Sequence, residues 1–231
     1  MTDQHHIPII TLDGPSGSGK GTISRHVAAA LGWHLLDSGA LYRLVALAAR
    51  RRQISLSDEQ MAGALAAGLK ARFEGEPQAG QTRIILDAED VTEAIRSEQC
   101  SRDASRIAVL PAVRQALLEQ QRRFCTPPGL LADGRDMGTV VFPHADLKIF
   151  LTASQQERAE RRHKQLKQKG VDVNLSDLLE DIGKRDERDH SRRAAPMRPA
   201  SDAIVVDTTG LSFDRVVVIL EAIVREGMGQ A

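Results

Sequence analysis

Aromatic residues and net charge are both scarce in this chain of 231 residues. Phe, Trp and Tyr make up 3% of the residues, which disfavours the base-stacking surfaces of single-strand nucleic-acid binders. Lys and Arg total 31, as do Asp and Glu, so the formal net charge is zero. Bulk electrostatics therefore gives no reason to expect nucleic acid or a membrane as a partner.

Cysteines and long apolar runs are also few. Cys100 and Cys125 form no metal-ligand pattern, which is typical of a reduced, cytoplasmic protein. The polar segment 1–6 does not have the pattern of a signal peptide, and no apolar run approaches the ~20 residues of a membrane span. We therefore expect a cytoplasmic protein. Hydrophobic residues make up 42% of the chain, which suffices for one sizeable α/β core.

Short apolar runs alternate with segments of helical periodicity. The expected strands are Ile7–Leu12, His34–Leu36, Gly129–Ala132, Leu147–Leu151 and Ala203–Val206. The expected helices cover residues 22–31, 40–52, 111–124, 154–169, 174–189 and 212–225. This alternation predicts an α/β fold whose parallel sheet is covered by helices on both faces. Segment 69–91 breaks the pattern, and its two short alternating stretches predict a small β-hairpin insert.

A glycine-rich loop lies between the first expected strand and the first expected helix. It reads Gly14, Pro15, Ser16, Gly17, Ser18, Gly19, Lys20, Gly21 and Thr22. The backbone N–H groups of such a loop face an anion at the helix N-terminus, and Lys20 can reach the outer phosphates of a nucleotide. Most such loops carry a magnesium-binding Ser or Thr where Gly21 stands. The ending Gly-Lys-Gly-Thr is typical of kinases that act on nucleoside monophosphates.

Polar side chains follow two other expected strands. Ser38 and Arg43 come after the second strand and can bind a phosphate, or they can be a helix cap and a surface arginine. Asp133 ends an apolar strand at the same sheet edge, a position suited to orienting magnesium through water. In the turn that follows, Arg135 can fork onto a phosphate and Asp136 can accept from an exocyclic amine. The alternative is an Arg135–Asp136 pair within the turn.

Basic residues cluster in segments 157–169 and 184–198. Such runs are usually solvated helix faces, but beside a phosphate-binding loop their arginines can neutralise bound phosphates. Arg185, Asp189 and Arg192 share one helix face, which is consistent with a ligand site or with an ion-pair ladder.

The chain resembles the bacterial cytidylate kinases over essentially its whole length. The resemblance is carried by segments 14–22, 36–43, 104–105 with Arg114, 132–143 and 185–192. It implies a single, monomeric P-loop kinase domain with a core formed by residues 1–65, 101–152 and 200–231. It further implies a monophosphate-binding insert at about 66–100 and a helical lid at about 153–172. We expect this lid, residues 153–170 above all, to bury little and to open at low cost.

The resemblance implies transfer of the γ-phosphate of MgATP to CMP or dCMP. Residues 14–22 would bind ATP, whose Mg²⁺ would be contacted through water by Thr22 and Asp133. The residues implied to bind CMP are Ser105, Arg114 and Asp136 at the base, Arg43, Arg135 and Arg192 at the phosphate with Ser38 nearby, Asp189 at the sugar, and Arg185 at the phosphate or sugar. The residues implied in catalysis are Lys20, Asp133, Arg135, Arg158 and Arg162, and Arg161 accompanies the last two in the lid.

Three other functions are compatible with a phosphate-binding loop. The first is a kinase for UMP or AMP, which the set of Asp136, Ser105 and Arg114 argues against. The second is a nucleotide-binding switch without enzyme activity, which should show a Gly-Lys-Ser or Gly-Lys-Thr loop. The third is an RNA-binding protein, which the neutral charge and scarce aromatics disfavour.

Overall fold

The computed structural model describes residues 6–74, 82–168, 170–192 and 194–229. Its strands are β1 (Ile9–Asp13), β2 (His34–Asp37), β3 (Ala71–Glu74), β4 (Arg83–Leu86), β5 (Glu89–Asp90), β6 (Leu130–Asp133), β7 (Leu147–Thr152) and β8 (Ile204–Asp207). Its helices are α1 (Lys20–Leu31), α2 (Ser38–Arg51), α3 (Glu59–Ala67), α4 (Glu98–Ile107), α5 (Pro111–Arg122), α6 (Gln155–Gln168), α7 (Leu175–Ser191) and α8 (Phe213–Met228). Met137–Val141 form a π-helical turn.

The strands form a five-stranded sheet in the order β2-β6-β1-β7-β8 and a three-stranded sheet in the order β3-β4-β5. β1 pairs with β7 and β7 with β8, both in parallel. The predicted α/β fold with a parallel sheet flanked by helices is confirmed, and each of the five expected strands begins and ends within two residues of the observed one. β3 and β4 pair antiparallel as expected of a hairpin, whose connecting residues 75–81 lie outside the described part of the chain.

The chain divides into two compact units. The first comprises residues 1–8 and 28–132, and within it α2 buries Leu41, Leu44, Val45 and Ala48, the face that its periodicity predicts. α3 and α5 approach closely, because a Cβ added at Gly63 would lie 2.8 Å from the Cβ of Ala112. Helices α3 and α4 were not among the expected helices.

The second unit comprises residues 9–27 and 133–231. Its strands are short apolar runs, and Ile10, Leu12, Ile149 and Leu151 are buried on β1 and β7. These buried strands place their polar last residues, together with the loops that follow, at one edge of the sheet, where ligands bind in folds of this kind. In the part of the chain that the model describes, no helix is long and apolar enough to cross a membrane.

Most described residues of segment 153–170 are exposed or half-buried, but one face of the segment is buried. Ala159 and Leu166 of α6 are buried and pack with Leu178 and Ile182 of α7. Arg158 is buried as well, and its charge is paired with that of Asp186 on α7. The apolar positions are few, but the helical spacing puts them on one face, so the segment packs against α7 rather than standing in solvent.

Gly14 is where the backbone of the second unit is most constrained. Its φ is +139°, and a Cβ there would lie 1.9 Å from the carbonyl oxygen of Leu151. We expect Gly14→Ala to lower the free energy of unfolding by about 3 kcal/mol, since it adds both backbone strain and a clash with β7. Gly32→Ala is the matched control, because Gly32 also has a positive φ (+66°) but open space around it.

For Gly32→Ala we expect the free energy of unfolding to fall by only about 1 kcal/mol, which is the cost of a left-handed backbone conformation alone. Denaturant unfolding of both variants measures the difference. Equal losses in the two variants would contradict the close approach of the loop to β7.

Candidate active site

The glycine-rich loop connects β1 to α1 as the sequence predicts. Gly17 and Gly19 have positive φ values of +78° and +91°, which glycine adopts at little cost. α1 begins at Lys20, so the first N–H groups of this helix, which have no partner within it, adjoin the loop. This is the arrangement that binds phosphate at a helix N-terminus.

The Lys20 side chain is buried beneath this loop. Its Nζ donates to the Pro15 carbonyl oxygen at 2.7 Å and to Ser18 Oγ at 3.4 Å. Burial lowers the pKa of Lys20 to about 7, assisted by the positive charge of Arg135, although Asp133 and Asp13 act in the opposite direction. An anion bound at the loop would favour the charged ammonium, so the site is electrostatically suited to phosphate.

Asp133 ends β6 beside the start of α1. A Cβ added at Gly21 would lie 3.6 Å from Asp133 Oδ2, so the carboxylate lies close to the backbone at the position where most such loops carry a hydroxyl residue. Oxygen ligands beside bound phosphates are what Mg²⁺ prefers, and Mg²⁺ usually keeps several waters. Within the described ranges, no cluster of three or more His, Cys, Asp or Glu residues forms a separate metal site.

The turn after Asp133 is anchored to β1 by the backbone. Gly134 N donates to the Leu12 carbonyl oxygen at 3.1 Å. The Asp13 carboxylate accepts from Met137 N at 2.9 Å and from Gly138 N at 2.8 Å. Burial raises the pKa of Asp13 to about 7, although these two N–H groups lower it. The turn that carries Arg135 and Asp136 is therefore held against the strand that leads into the glycine-rich loop.

Arg135 pairs with Asp189 of α7. Arg135 Nε donates to Asp189 Oδ2 at 3.3 Å, and Asp189 also binds the Arg192 guanidinium. Burial raises the pKa of Asp189, but Arg135, Arg192 and Arg185 together bring it below its ordinary value. For Arg185, Asp189 and Arg192 the sequence is consistent with a ligand site or an ion-pair ladder. The structure contains an ion pair of this ladder, between Asp189 and Arg192, and Arg135 pairs with the same carboxylate. Such a cluster of arginines is also a suitable site for a phosphate or sugar.

Arg158 is not exposed on a solvated lid. Its guanidinium forms a two-pronged pair with Asp186, at 3.0 and 2.5 Å, and donates to the Ser16 carbonyl oxygen at 3.1 Å. Its Nε donates to the Ala153 carbonyl oxygen at 3.0 Å. Arg158 thus joins the glycine-rich loop to α6 and α7.

The two neighbouring arginines have different surroundings. Arg161 donates to the hydroxyl of Thr208 at 3.0 Å and to its carbonyl oxygen at 2.6 Å, and pairs with Glu157 at 2.8 Å. At the start of α6, the backbone N–H of Glu157 donates to Ser154 Oγ at 3.2 Å. Arg162 donates to Gln165 at 2.5 Å, and burial lowers the pKa of its guanidinium.

In the first unit, the direction of the hydrogen bond at Ser38 is determined by Gln121. Gln121 Nε2 donates to the Leu117 carbonyl oxygen at 3.2 Å, so Gln121 Oε1 faces Ser38 Oγ at 2.8 Å. Because a carbonyl oxygen can only accept, the amide orientation is determined and the Ser38 hydroxyl must donate. Its single proton is used in this bond, so Ser38 Oγ can only accept from a further group.

The remaining candidate residues of the first unit are buried or partly buried donors. Arg43 Nη2 donates to Asp37 Oδ2 at 2.7 Å, whereas Arg43 Nε and Ser105 Oγ are buried with no hydrogen-bond partner among the residues described. Arg114 Nη1 lies 3.4 Å from the Tyr42 hydroxyl. Buried polar atoms without partners are uncommon, and a ligand is one way to satisfy them.

Sequence reasoning missed three residues that support the site: Asp13, Gln121 and Asp186. Each acts through a partner far away in the chain, and Asp13 and Met137 are 124 positions apart. No local pattern could have identified these pairs. The one available signal was the position of Asp13, a carboxylate at the end of an apolar strand directly before the glycine-rich loop.

Comparison with known proteins identifies the family to which this chain is similar. A family model described as cytidylate kinase matches residues 10–226. The chain is 59% identical over 219 residues to the cytidylate kinase of Pseudomonas syringae pv. syringae, covering 95% of this chain and 94% of that protein. It is 56% identical over 214 residues to the cytidylate kinase of Colwellia psychrerythraea, covering 93% and 94%. The cytidylate kinase of Azotobacter vinelandii is 57% identical over 209 residues, covering 90% and 91%.

The Arg158–Asp186 pair makes a testable contribution to stability. Asp186→Ala leaves a buried guanidinium without its counter-charge, so we expect the free energy of unfolding to fall by roughly 3–5 kcal/mol. Glu180→Ala is the control, since it removes an exposed carboxylate that pairs with Lys184 on the same helix. That variant should melt close to the wild-type temperature. Thermal unfolding would contradict the buried pair if both variants melted alike.

Proposed function

The chain belongs to the cytidylate kinase family, and on that premise we propose that it transfers the γ-phosphate of ATP to CMP or dCMP, giving ADP and CDP or dCDP. The observation that carries the proposal is the arrangement within the second unit. The glycine-rich loop with its buried Lys20 lies beside Asp133, and the Asp13 carboxylate ties the turn bearing Arg135 and Asp136 to the same strand end.

We propose that residues 14–22 bind the ATP phosphates. The loop N–H groups would face the phosphates, and Lys20 would exchange its contact with the Pro15 carbonyl oxygen for the β- and γ-phosphate oxygens. Mg²⁺ would accompany ATP, with Thr22 and Asp133 contacting it through water. The proximity of Asp133 to Gly21 supports this assignment. When bound, the ion would neutralise charge on the phosphates that take part in transfer.

The second substrate would be CMP or dCMP. We propose that Ser105, Arg114 and Asp136 contact the cytosine and that Arg43, Arg135 and Arg192 contact the phosphate. The unpartnered Ser105 Oγ and Arg43 Nε support these assignments, because each is a buried donor with no acceptor among the described residues. Asp189 would contact the sugar and Arg185 the sugar or phosphate.

Ser38 has a narrower role than the sequence indicates. Its proton is used by Gln121, so its Oγ would repel a phosphate oxygen and would accept from a hydroxyl or amine of the substrate instead. We therefore propose that Ser38 lies near the CMP phosphate without binding it directly.

The chemical step needs positioning and charge neutralisation rather than a general base. A phosphate oxygen of CMP is already a deprotonated nucleophile at neutral pH, and the protein must align it with the γ-phosphate while excluding water. Lys20, Arg135, Arg158 and Arg162 would stabilise the transferring group. In this role Arg158 would contact a phosphate oxygen, either beside its pair with Asp186 or in exchange for part of that pair.

We further propose that the protein acts as a cytoplasmic monomer with a monophosphate-binding insert at about 66–100 and a lid at about 153–172. The three-stranded sheet falls within the proposed insert, and α6 falls within the proposed lid. Because α6 packs on α7 through buried Ala159 and Leu166, lid motion would carry parts of both helices.

A coupled assay of ADP formation with each nucleoside monophosphate in turn tests the proposed function. We expect CMP and dCMP to be phosphorylated with a kcat/KM well above that for UMP and AMP. Faster reaction with UMP or AMP would identify a kinase of different specificity. Nucleotide binding without ADP formation from any monophosphate would indicate a nucleotide-binding protein that is not a kinase.

Lys20 is expected to act mainly in the transition state. Lys20→Ala should lower kcat/KM by roughly 10²-fold or more, about 3 kcal/mol of transition-state stabilisation. Lys184→Ala, which removes an exposed ammonium paired with Glu180, is the control and should keep wild-type kinetics. Near-normal turnover by Lys20→Ala in the ADP assay would contradict the assignment of the loop.

Asp136 is expected to determine the choice of base. A carboxylate accepts from the N4 amine of cytosine but faces the O4 acceptor of uracil, a mismatch that costs on the order of 1–3 kcal/mol. Asp136→Asn should therefore narrow the preference for CMP over UMP, chiefly through weaker use of CMP. The ratio of the two kcat/KM values measures this effect. An equal decrease in kcat/KM for CMP and for UMP would show that Asp136 does not recognise the base.

A further inference from the structure

We propose that Asp13 is a positioning residue for the monophosphate substrate: its carboxylate fixes the backbone at Met137 and Gly138, and thereby places the side chains of Arg135 and Asp136. This inference rests on the proposed function, because it assigns to those two side chains the phosphate and the base of CMP. Asp13 itself would touch neither substrate.

Asp13 caps a helical turn that lies far from it in the chain. Its two carboxylate oxygens accept separately, Oδ1 from Met137 N at 2.9 Å and Oδ2 from Gly138 N at 2.8 Å. These are the first two N–H groups of the π-helical turn Met137–Val141. Asp136 stands at the usual capping position of that turn, but its side chain makes no capping bond there. Asp13 therefore performs a task that the residue before a helical turn normally performs for itself.

A carboxylate is a costly cap in this place. Asp13 is buried at the end of β1, and burial raises its pKa to about 7, with a further increase from the charge of Asp136. The positive charge of Lys20 lowers the pKa of Asp13. Asp13, which precedes Gly14 in the chain, thus interacts electrostatically both with Lys20, assigned to ATP, and with Asp136, assigned to CMP.

Two hydrogen bonds to one carboxylate also restrain the orientation of the turn better than a single bond would. A single bond lets the peptide planes pivot, whereas bonds from consecutive N–H groups to the two oxygens of one planar group restrain both planes together. Asp136 immediately precedes these two residues, so a tilt of the turn would move its carboxylate directly. A displacement of about 1 Å is sufficient to weaken a catalytic or recognition contact severely.

The test is the steady-state kinetics of Asp13→Asn. An amide keeps one acceptor oxygen, but its NH₂ group would face the other backbone N–H, so the turn must shift. We expect the KM for CMP to rise roughly 10-fold and the CMP-over-UMP preference to narrow severalfold, while the KM for MgATP changes by less than about twofold. A role in stability alone would not separate the two substrates in this way.

Asp146 provides a matched control. Its Oδ2 accepts from Ile9 N at 2.8 Å, so Asp146 also joins β1 to another segment through a bond from a carboxylate to a backbone N–H, but at the opposite end of the strand. Asp146→Asn should leave both KM values and the base preference unchanged. Thermal unfolding of both variants shows whether they are folded. Asp13→Ser, which keeps a small acceptor, gives the same kinetic comparison if Asp13→Asn does not fold.

The outcomes separate this inference from the function on which it rests. If the wild-type enzyme does not phosphorylate CMP, the proposed function fails and this role of Asp13 fails with it. If the wild-type enzyme is active and Asp13→Asn behaves like Asp146→Asn, only the positioning role is overturned. Equal increases in both KM values would also overturn it, because they would indicate a general disturbance of the site.

Discussion

The burial of opposite charges around the end of β1 is the constraint on which this structure depends. Charged groups removed from water are costly unless they are paired. Lys20 is buried near Asp13 and Asp133, while the Arg158–Asp186 and Arg135–Asp189 pairs bring α6, α7 and the turn after β6 to the same loop. Each pair links segments that are distant in the chain, so the geometry of the candidate site and the stability of the second unit depend on the same contacts. Burial, more than any neighbouring charge, lowers the pKa of Lys20, and a bound anion would favour its charged form.

Much of the fold could be predicted because its elements have local causes. Buried parallel strands are short apolar runs, and α2 and α8 have clear helical periodicity. The helices that were not predicted have weaker patterns. α3 is short and consists largely of small residues, and α4 carries mostly polar residues, so few large apolar side chains mark its buried face. Tertiary packing, such as the close contact of Gly63 with Ala112, stabilises these helices where the local pattern is weak.

The candidate site, like the fold, has residues that could be predicted from the sequence and residues that could not. The glycine-rich loop and the turn with Asp133, Arg135 and Asp136 could be predicted because strand, loop and polar residues follow one another directly in the sequence. The supporting residues could not, since Asp13 and Gln121 act on backbone or side chains in other segments. Arg158 shows why charge pattern alone misleads. A basic helix in isolation predicts a solvated face, but one acidic residue on α7 is enough to bury this guanidinium against the loop.

The proposed function requires that the glycine-rich loop and the turn bearing Arg135 and Asp136 bind the two ends of one phosphate chain. It is tested most directly by titration calorimetry with adenosine and cytidine joined through five phosphates, using the wild-type protein and the Ser105→Ala and Asp136→Ala variants. We predict that this compound binds the wild-type protein at least about 10²-fold more tightly than CMP, because its second half binds without a further loss of freedom. We also predict that both variants bind it more weakly. Binding no tighter than that of CMP, or binding unaffected by either variant, would contradict the account.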